Sequence, residues 1–384
     1  MNKDYIPYSC QDVDERDIKE VSKVLSSDFL TQGPRVNKFE EMLADYCGTK
    51  YCVALSSGTA ALHGAYFAAG INQEDEVISS PITFAATTNA ALFLGARPVF
   101  VDIKSDTGNI DANLIEDKIN KNTKAIVPVH YSGQPAGMQK IKNISQKHNI
   151  TVIEDACHAL GAEYNGKKIG SCEYSDMAVF SFHPVKPITT GEGGAILTNN
   201  KEYYDKIKMF RQHGITKDKN RMKRQKEGGW YHEMQFLGYN YRITDIQCAL
   251  GVSQLNKLDK FIDKRRKSIR IYRDILSSNK NIELPYKKKD VRSSWHLYPI
   301  KIKNISKEKK RKIFSELRKR GVGVQVHYIP VYWHPYYQEM GYKKGLCPKA
   351  EKFYKEELSI PLHQKMDEDD VKRVCSELKK LVEK

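Results

Sequence analysis

MAVFSFHPVKPITTGEGGAILT, residues 177–198, holds the reading of the fold. Two apolar runs, MAVFSF and GAILT, have the composition of buried strands, and the residues between them leave no room for a helix. The connection is therefore read as hairpin-like, with antiparallel pairing at this point of a sheet. Inside it, Lys186 stands between Pro184 and Pro187. Proline fixes its own φ and pushes the residue before it towards an extended conformation, so the backbone is restricted on both sides of this lysine. Most loop lysines face solvent and need no such restraint. A partly desolvated lysine loses basicity and can form a Schiff base with an aldehyde.

Upstream, helix and strand patterns alternate. Residues 14–26 and 35–46 carry apolar side chains at helical spacing. YCVAL (51–55), EVISS (76–80), RPVFVDI (97–103), KAIVPV (124–129) and ITVIED (150–155) read as short strands, with helices between most of them, for instance at 111–120 and 137–148. Strands interleaved with helices predict an α/β domain with a largely parallel sheet. After about residue 250 the chain turns helical, then loop-rich, then runs strand, helix, strand and a terminal helix near 368–383. A large domain over 1–250 and a smaller α+β domain over 251–384 are expected.

Net charge is 63 − 47 = +16, much of it in KDKNRMKRQK (217–226), DKRRK (263–267), KKK (287–289) and KEKKRK (307–312). Such clusters read as solvated loops and helix faces. No zinc-finger spacing, RRM-type aromatic motif or basic recognition helix accompanies them, so nucleic acid is not expected as a partner. A positive field suits a small polyanion such as a nucleotide diphosphate. The eight cysteines are scattered without metal-type spacing; reduced thiols, no metal site and a cytoplasmic location are expected. MNKDYIPYSCQDVDERD has no apolar core of a signal peptide, and no run is long enough to span a bilayer.

Four further places bear on chemistry. Ser56-Ser57-Gly58-Thr59-Ala60 lies between a predicted strand and a predicted helix, where unpaired N–H groups favour phosphate; it is equally the composition of a routine N-cap. Asp155 ends a predicted parallel strand, where open α/β sheets bind ligands, or else it merely marks the strand end. His158, three residues on, lines the same site or packs beneath it. Phe84, in SSPITFAATTNAAL, is either core or a flat platform for an aromatic ring. Taken in order, these give a phosphate loop, a ring platform, an acid 31 residues before a lysine, and a hydroxyl, Ser181, just upstream of that lysine. Pyridoxal 5'-phosphate uses all five: a phosphate cradle, ring support, an acid for its pyridine nitrogen and a lysine for its aldehyde.

The motifs SSGTAAL, SPITFAATTNA, GARPVFVDI, EDACHALGAEYNGKKIG, FSFHPVKPITTGEGG, FRQHGI and LGYNYRITDIQCALG resemble the DegT/DnrJ/EryC1 family, from IPYS at 6–9 through HYIPVYWHPYY at 327–337. These are pyridoxal-phosphate aminotransferases of nucleotide-sugar biosynthesis with fold type I. Related sugar dehydratases replace the lysine by histidine; here it is Lys186. The resemblance implies that Lys186 bonds the cofactor, Asp155 pairs with its pyridine nitrogen, Phe84 stacks on its ring and His158 lies near it. It implies that Gly58, Thr59 and Ser181 hold the phosphate. Asn240 is expected to reach the site of a neighbouring subunit, so a homodimer with shared sites is implied. Substrate contacts would fall on Tyr8, on Asp28, Phe29, Leu30 and Thr31, and on Val326, His327, Tyr328 and Ile329. HPVKPITTGEGG and VHYIPVY are similar to the subgroup that aminates C4 of a UDP-4-keto-6-deoxy-N-acetylhexosamine, with L-glutamate as donor, on the route to pseudaminic acid. A D-configured UDP-ketosugar or a GDP-ketosugar is the alternative substrate, and a non-catalytic binding or nucleic-acid-binding protein the remote one.

Overall fold

A computed structural model describes residues 5–224, 227–286 and 288–383. Gln225, Lys226 and Lys287 of the basic clusters lie outside the described residues, as do the first four residues of the N-terminal segment. Five parallel strands, β1 (Tyr51–Leu55), β2 (Glu76–Ser79), β3 (Arg97–Phe100), β4 (Thr123–Val127) and β5 (Thr151–Asp155), join the lysine hairpin in one seven-stranded sheet. The hairpin's outgoing strand is Met177–Ser181 and its return strand is Gly194–Thr198. Across the sheet the order is β1, return strand, outgoing strand, β5, β4, β2, β3. Only the return strand runs against its neighbours, pairing antiparallel with both β1 and the outgoing strand. The antiparallel turn expected from 177–198 is therefore present, with Ser181 opposite Gly194 and Met177 opposite Thr198.

Both faces of the sheet are covered, as its continuous apolar strands require. Period-two alternation divides each strand between two cores. Val152, Phe180, Leu197 and Ile126 enter one; Ile153, Val179, Ile196 and Val127 enter the other. Predicted helices are found at Glu15–Leu25, Pro34–Cys47, Gly58–Ala68 and Met138–His148. The helix expected over 111–120 is absent: the segment holds only a 3-10 turn at Glu116–Lys118. There the Asp111 carboxylate accepts from the Asn113 backbone N–H (3.1 Å) and side-chain amide (3.0 Å), a local turn that competes with helix. Ile110, Ala112 and Ile115 are buried by this turn without a helical face.

Downstream, helices Asp245–Leu255 and Leu258–Leu276 lead to an antiparallel three-stranded sheet, ordered Ile282–Glu283, Tyr298–Ile302, Glu357–Ile360. Its core includes Ile300, Leu317, Val324, Leu358, Val374 and Leu378. One basic cluster departs from the solvated-face reading. Arg265 of DKRRK is fully buried and donates to the carbonyls of His296 (3.1 Å) and Leu362 (2.7 Å) and to Gln364 Oε1 (2.9 Å). Carbonyl dipoles, not water, hold its charge. All eight cysteines are free thiols. Among the described residues, no group of three or more His, Cys, Asp or Glu is placed to hold a metal ion, and no helix is long and apolar enough to cross a membrane.

Candidate active site

The carboxyl ends of β1, β2, β4, β5 and the outgoing hairpin strand meet along one edge of the sheet, where open α/β sheets bind ligands. A cavity of ≈ 740 Å³ opens there, lined by Lys186, Asp155, Phe84, His158, Ser181 and Thr59 among others. Gly58, Tyr8, Val326, His327 and Tyr328 also line it.

The lysine turn is fastened at several points. Lys186 N–H donates to His183 O (2.8 Å) and Thr190 N–H to Phe182 O (3.0 Å). Ser9 Oγ donates to Val185 O (2.9 Å), and Thr189 Oγ1 to Phe182 O (2.9 Å). Gly191 takes a left-handed φ of 79°, which suits glycine. Lys186 itself is half-buried. Burial lowers its pKa below the ordinary lysine value, and Cys157 and Asp155 nearby pull against that shift.

Asp155, the last residue of β5, is buried and aimed by two donors: Thr87 Oγ1 at 2.6 Å and Cys157 N–H at 3.2 Å. Thr87 is in turn 2.6 Å from Thr83 Oγ1. Glu154 points to the opposite face, where it accepts from His130 Nε2 at 2.6 Å; His130 Nδ1 is engaged by Ala136 N–H (3.1 Å). Phe84 is 63% exposed, so it is not core; its ring stands at the cavity wall, 6.3 Å from that of Tyr328. His158 is buried beneath, with Nε2 3.1 Å from the Tyr328 hydroxyl. Burial, with Lys186 and His327 close by, pushes its pKa well below the ordinary histidine value, so its ring is neutral.

Gly58 opens the helix Gly58–Ala68, with Ser57 capping it through Ala60 N–H (3.1 Å). The routine cap is present: Ser57 takes one orphan donor and leaves the first N–H groups of the helix without an intrahelical partner. A Cβ on Gly58 would stand 2.8 Å from Ser181 Cβ, so only glycine brings this turn against the hairpin.

Asp28, Phe29, Leu30, Thr31 and Asn240 do not line this cavity; all five are exposed. Leu30 and Thr31 are fastened to the helix start at Thr244 and Asp245 by the bridge of Thr31 to Thr244 and the hydrogen bond of Asp245 N–H to Leu30 O, while Asn240 bridges Gln212. Ile329 is half-buried and also outside the lining. Lining residues that the sequence reading did not single out include Thr83, Thr87, Cys157 and Gln325. Thr83 precedes the helix Ala86–Leu92 that carries Thr87, so no helical spacing in SPITFAATTNA announced their pairing.

This arrangement can hold an anion at a helix start, a flat ring over Phe84 with a carboxylate behind it, and a carbonyl against a lysine of lowered basicity. The model of the DegT/DnrJ/EryC1/StrS aminotransferase family matches residues 11–379. The chain belongs to that family. It is 45% identical to the UDP-4-amino-4,6-dideoxy-N-acetyl-beta-L-altrosamine transaminase of Campylobacter jejuni, over 99% of this chain and 98% of that one. Among solved structures, Helicobacter pylori PseC, an aminotransferase involved in the biosynthesis of pseudoaminic acid, superposes with a TM-score of 0.91 at 37% identity, covering 99% of each chain. The PLP-form of Spr1654 from Streptococcus pneumoniae, a sugar aminotransferase by description, gives 0.92 at 30% identity over 99% of each. This aminotransferase has the fold-type-I architecture read from its sequence.

Proposed function

We propose that this aminotransferase uses pyridoxal 5'-phosphate to move the amino group of L-glutamate to C4 of UDP-2-acetamido-2,6-dideoxy-β-L-arabino-hex-4-ulose, giving UDP-4-amino-4,6-dideoxy-N-acetyl-β-L-altrosamine. The observation that carries the chemistry is the convergence of Lys186, Asp155 and Phe84 on one cavity at the helix start of Gly58. The relatives named above support the choice of sugar. The residues fit the cofactor: an exposed phenylalanine for the ring, a buried carboxylate, a half-buried lysine, and a glycine turn closed by Ser181 for the phosphate. When bound, pyridoxal phosphate supplies an aldehyde for imine bonds and a ring that takes up a carbanion's electron pair.

Everything else falls to the chain. The N–H groups at Gly58 and Thr59, with Ser181, hold the phosphate. Asp155, kept in place by Thr87 and Cys157, sets a negative charge beside the pyridine nitrogen and keeps it protonated. Lys186 Nζ takes the proton from the glutamate α-carbon as general base, and in the second half-reaction delivers one to C4 of the sugar. Its lowered pKa enlarges the neutral fraction needed for the first of these steps. His158 stays neutral and adds no charge beside Lys186. A homodimer with shared sites, and a division into a large unit 1–250 and a small one 251–384, belong to the same reading. The dimer would give exposed Asn240 and Asp28–Thr31 a cavity to face, that of the partner.

The test is incubation with glutamate and a panel of nucleotide ketosugars, with products read by NMR. The expected product has the L-altro configuration. Conversion of only D-configured UDP- or GDP-ketosugars would overturn the substrate and leave the transaminase.

A further inference from the structure

The cavity wall opposite the sheet contains a buried polar chain that the chemistry of Lys186 does not use. Glu357 and Ser359 stand two apart on the strand Glu357–Ile360 and so share one face. Glu357 is fully buried; its Oε2 accepts from the His327 backbone N–H at 2.9 Å and its Oε1 accepts from Ser359 Oγ at 2.5 Å. A serine has one proton to give. Having given it to Glu357, Ser359 Oγ can meet His327 Nδ1, at 2.8 Å, only as an acceptor. While Glu357 is ionised, the proton of His327 therefore sits on Nδ1. The carbonyl of His327 accepts from Tyr131 Oη at 2.6 Å, so the residue is held at its N–H, its carbonyl and its ring. Burial and nearby Lys186 push its pKa to about 3, leaving the ring neutral. Burial raises the Glu357 carboxyl to about 8, while Lys310 and the two hydrogen bonds it accepts pull it back.

We infer that the Glu357 carboxylate, when ionised, acts through Ser359 to fix His327 in the Nδ1–H tautomer, so that its Nε2 lone pair faces the cavity and accepts a hydrogen bond from a hydroxyl or amide N–H of the ketosugar. Glu357 and Ser359 are positioning residues; His327 is the contact. A lone pair repels a carboxylate, so this nitrogen selects the neutral sugar and not the dicarboxylate donor. The inference rests on the proposed function for its substrate, but the tautomer is a property of the protein alone.

The test uses the intact protein labelled with 15N-histidine, with the His327 signals assigned by their loss in H327Q. At pH 9, where Glu357 is ionised, the proton is expected on Nδ1 of His327. In E357Q the side-chain amide donates to Ser359, whose hydroxyl then donates to Nδ1, and the proton is expected on Nε2. The KM for the ketosugar should rise about tenfold in E357Q, the effect of one hydrogen bond, with the glutamate half-reaction unchanged. If E357Q does not fold, Ser359→Ala against Ser359→Thr makes the same comparison, the threonine retaining the low KM and the alanine losing it. An Nε2–H tautomer in the unaltered protein at pH 9, or the same tautomer in both proteins at that pH, overturns the relay while leaving the transaminase reading intact. Equal losses in both half-reactions overturn the assignment to the sugar. No turnover with any ketosugar sinks the proposed function and leaves the NMR result standing.

Discussion

The two walls of the cavity are built on different length scales. On the sheet wall, each aimed group has at least one tie from within its own stretch of chain. Lys186 is set by a turn closed between Phe182 and Thr190, Asp155 by Cys157 two residues on, with Thr87 added from across the fold, and the helix start at Gly58 by the Ser57 cap. On the opposite wall, His327 is aimed by Glu357, Ser359 and Tyr131, all of them distant in sequence. Local construction suits groups that must serve every turnover alike. Construction at a distance lets the second wall vary without disturbing the first, and that is where discrimination between sugars can reside.

The comparison can be broken at its strongest point first. Lys186→Ala should lower transamination by about 10⁴-fold for every ketosugar, the upper range for loss of a general base. Turnover by that variant at the parent rate would remove Lys186 from the chemistry. Asp155→Asn should lower kcat by about 10²- to 10³-fold, as loss of a preorganised charge does. Thr87→Val, which removes only one hydrogen bond to Asp155, should cost about tenfold. Steady-state rates on two different ketosugars check both, and a sugar-selective loss would blur the distinction between walls.

Gly58→Ala should lower the unfolding free energy by about 1–3 kcal/mol, because the added methyl overlaps Ser181 Cβ. Urea titration measures it, together with weaker retention of cofactor. The smallest effect is in pH dependence. Lys186 has a lowered pKa when folded, so between that value and the ordinary 10.5 the unfolded chain binds more protons. In protein freed of cofactor, stability should therefore rise with pH across that window by a component that Lys186→Met lacks. Identical slopes in the two proteins would mean that the lysine is as well solvated folded as unfolded.

The same length scales explain what was legible in the sequence. The strands, the antiparallel hairpin and, on the sheet wall, Lys186, Asp155 and the Gly58 turn were readable because turn residues, period-two patterns and N-cap chemistry act over a few positions, whereas Thr83, Thr87 and Cys157 were not. The missing helix at 111–120 failed on the same scale: an apolar pattern was overruled by the local turn at Asp111. Arg265 was misread for the opposite reason. Its burial depends on carbonyls at His296 and Leu362, which no local pattern announces. Glu357 and Ser359 were invisible for that reason too, since EELSIPLH reads only as a strand with polar residues at alternate positions. Asn240 and Asp28–Thr31 came from family resemblance, and in the single chain they are exposed and outside the cavity lining.

The return strand of the hairpin carries one more consequence. A Cβ on its first residue, Gly194, would lie 2.4 Å from Ser57 O. The loop that holds the lysine thus ends against the loop that holds an anion, with no side chain to cushion the join. On the proposed function, the two ends of the coenzyme would attach to a single fixture. A residue inserted in 187–193 would fall between the lysine and this join and displace one against the other, so the length of that segment is one fixed dimension of the molecule.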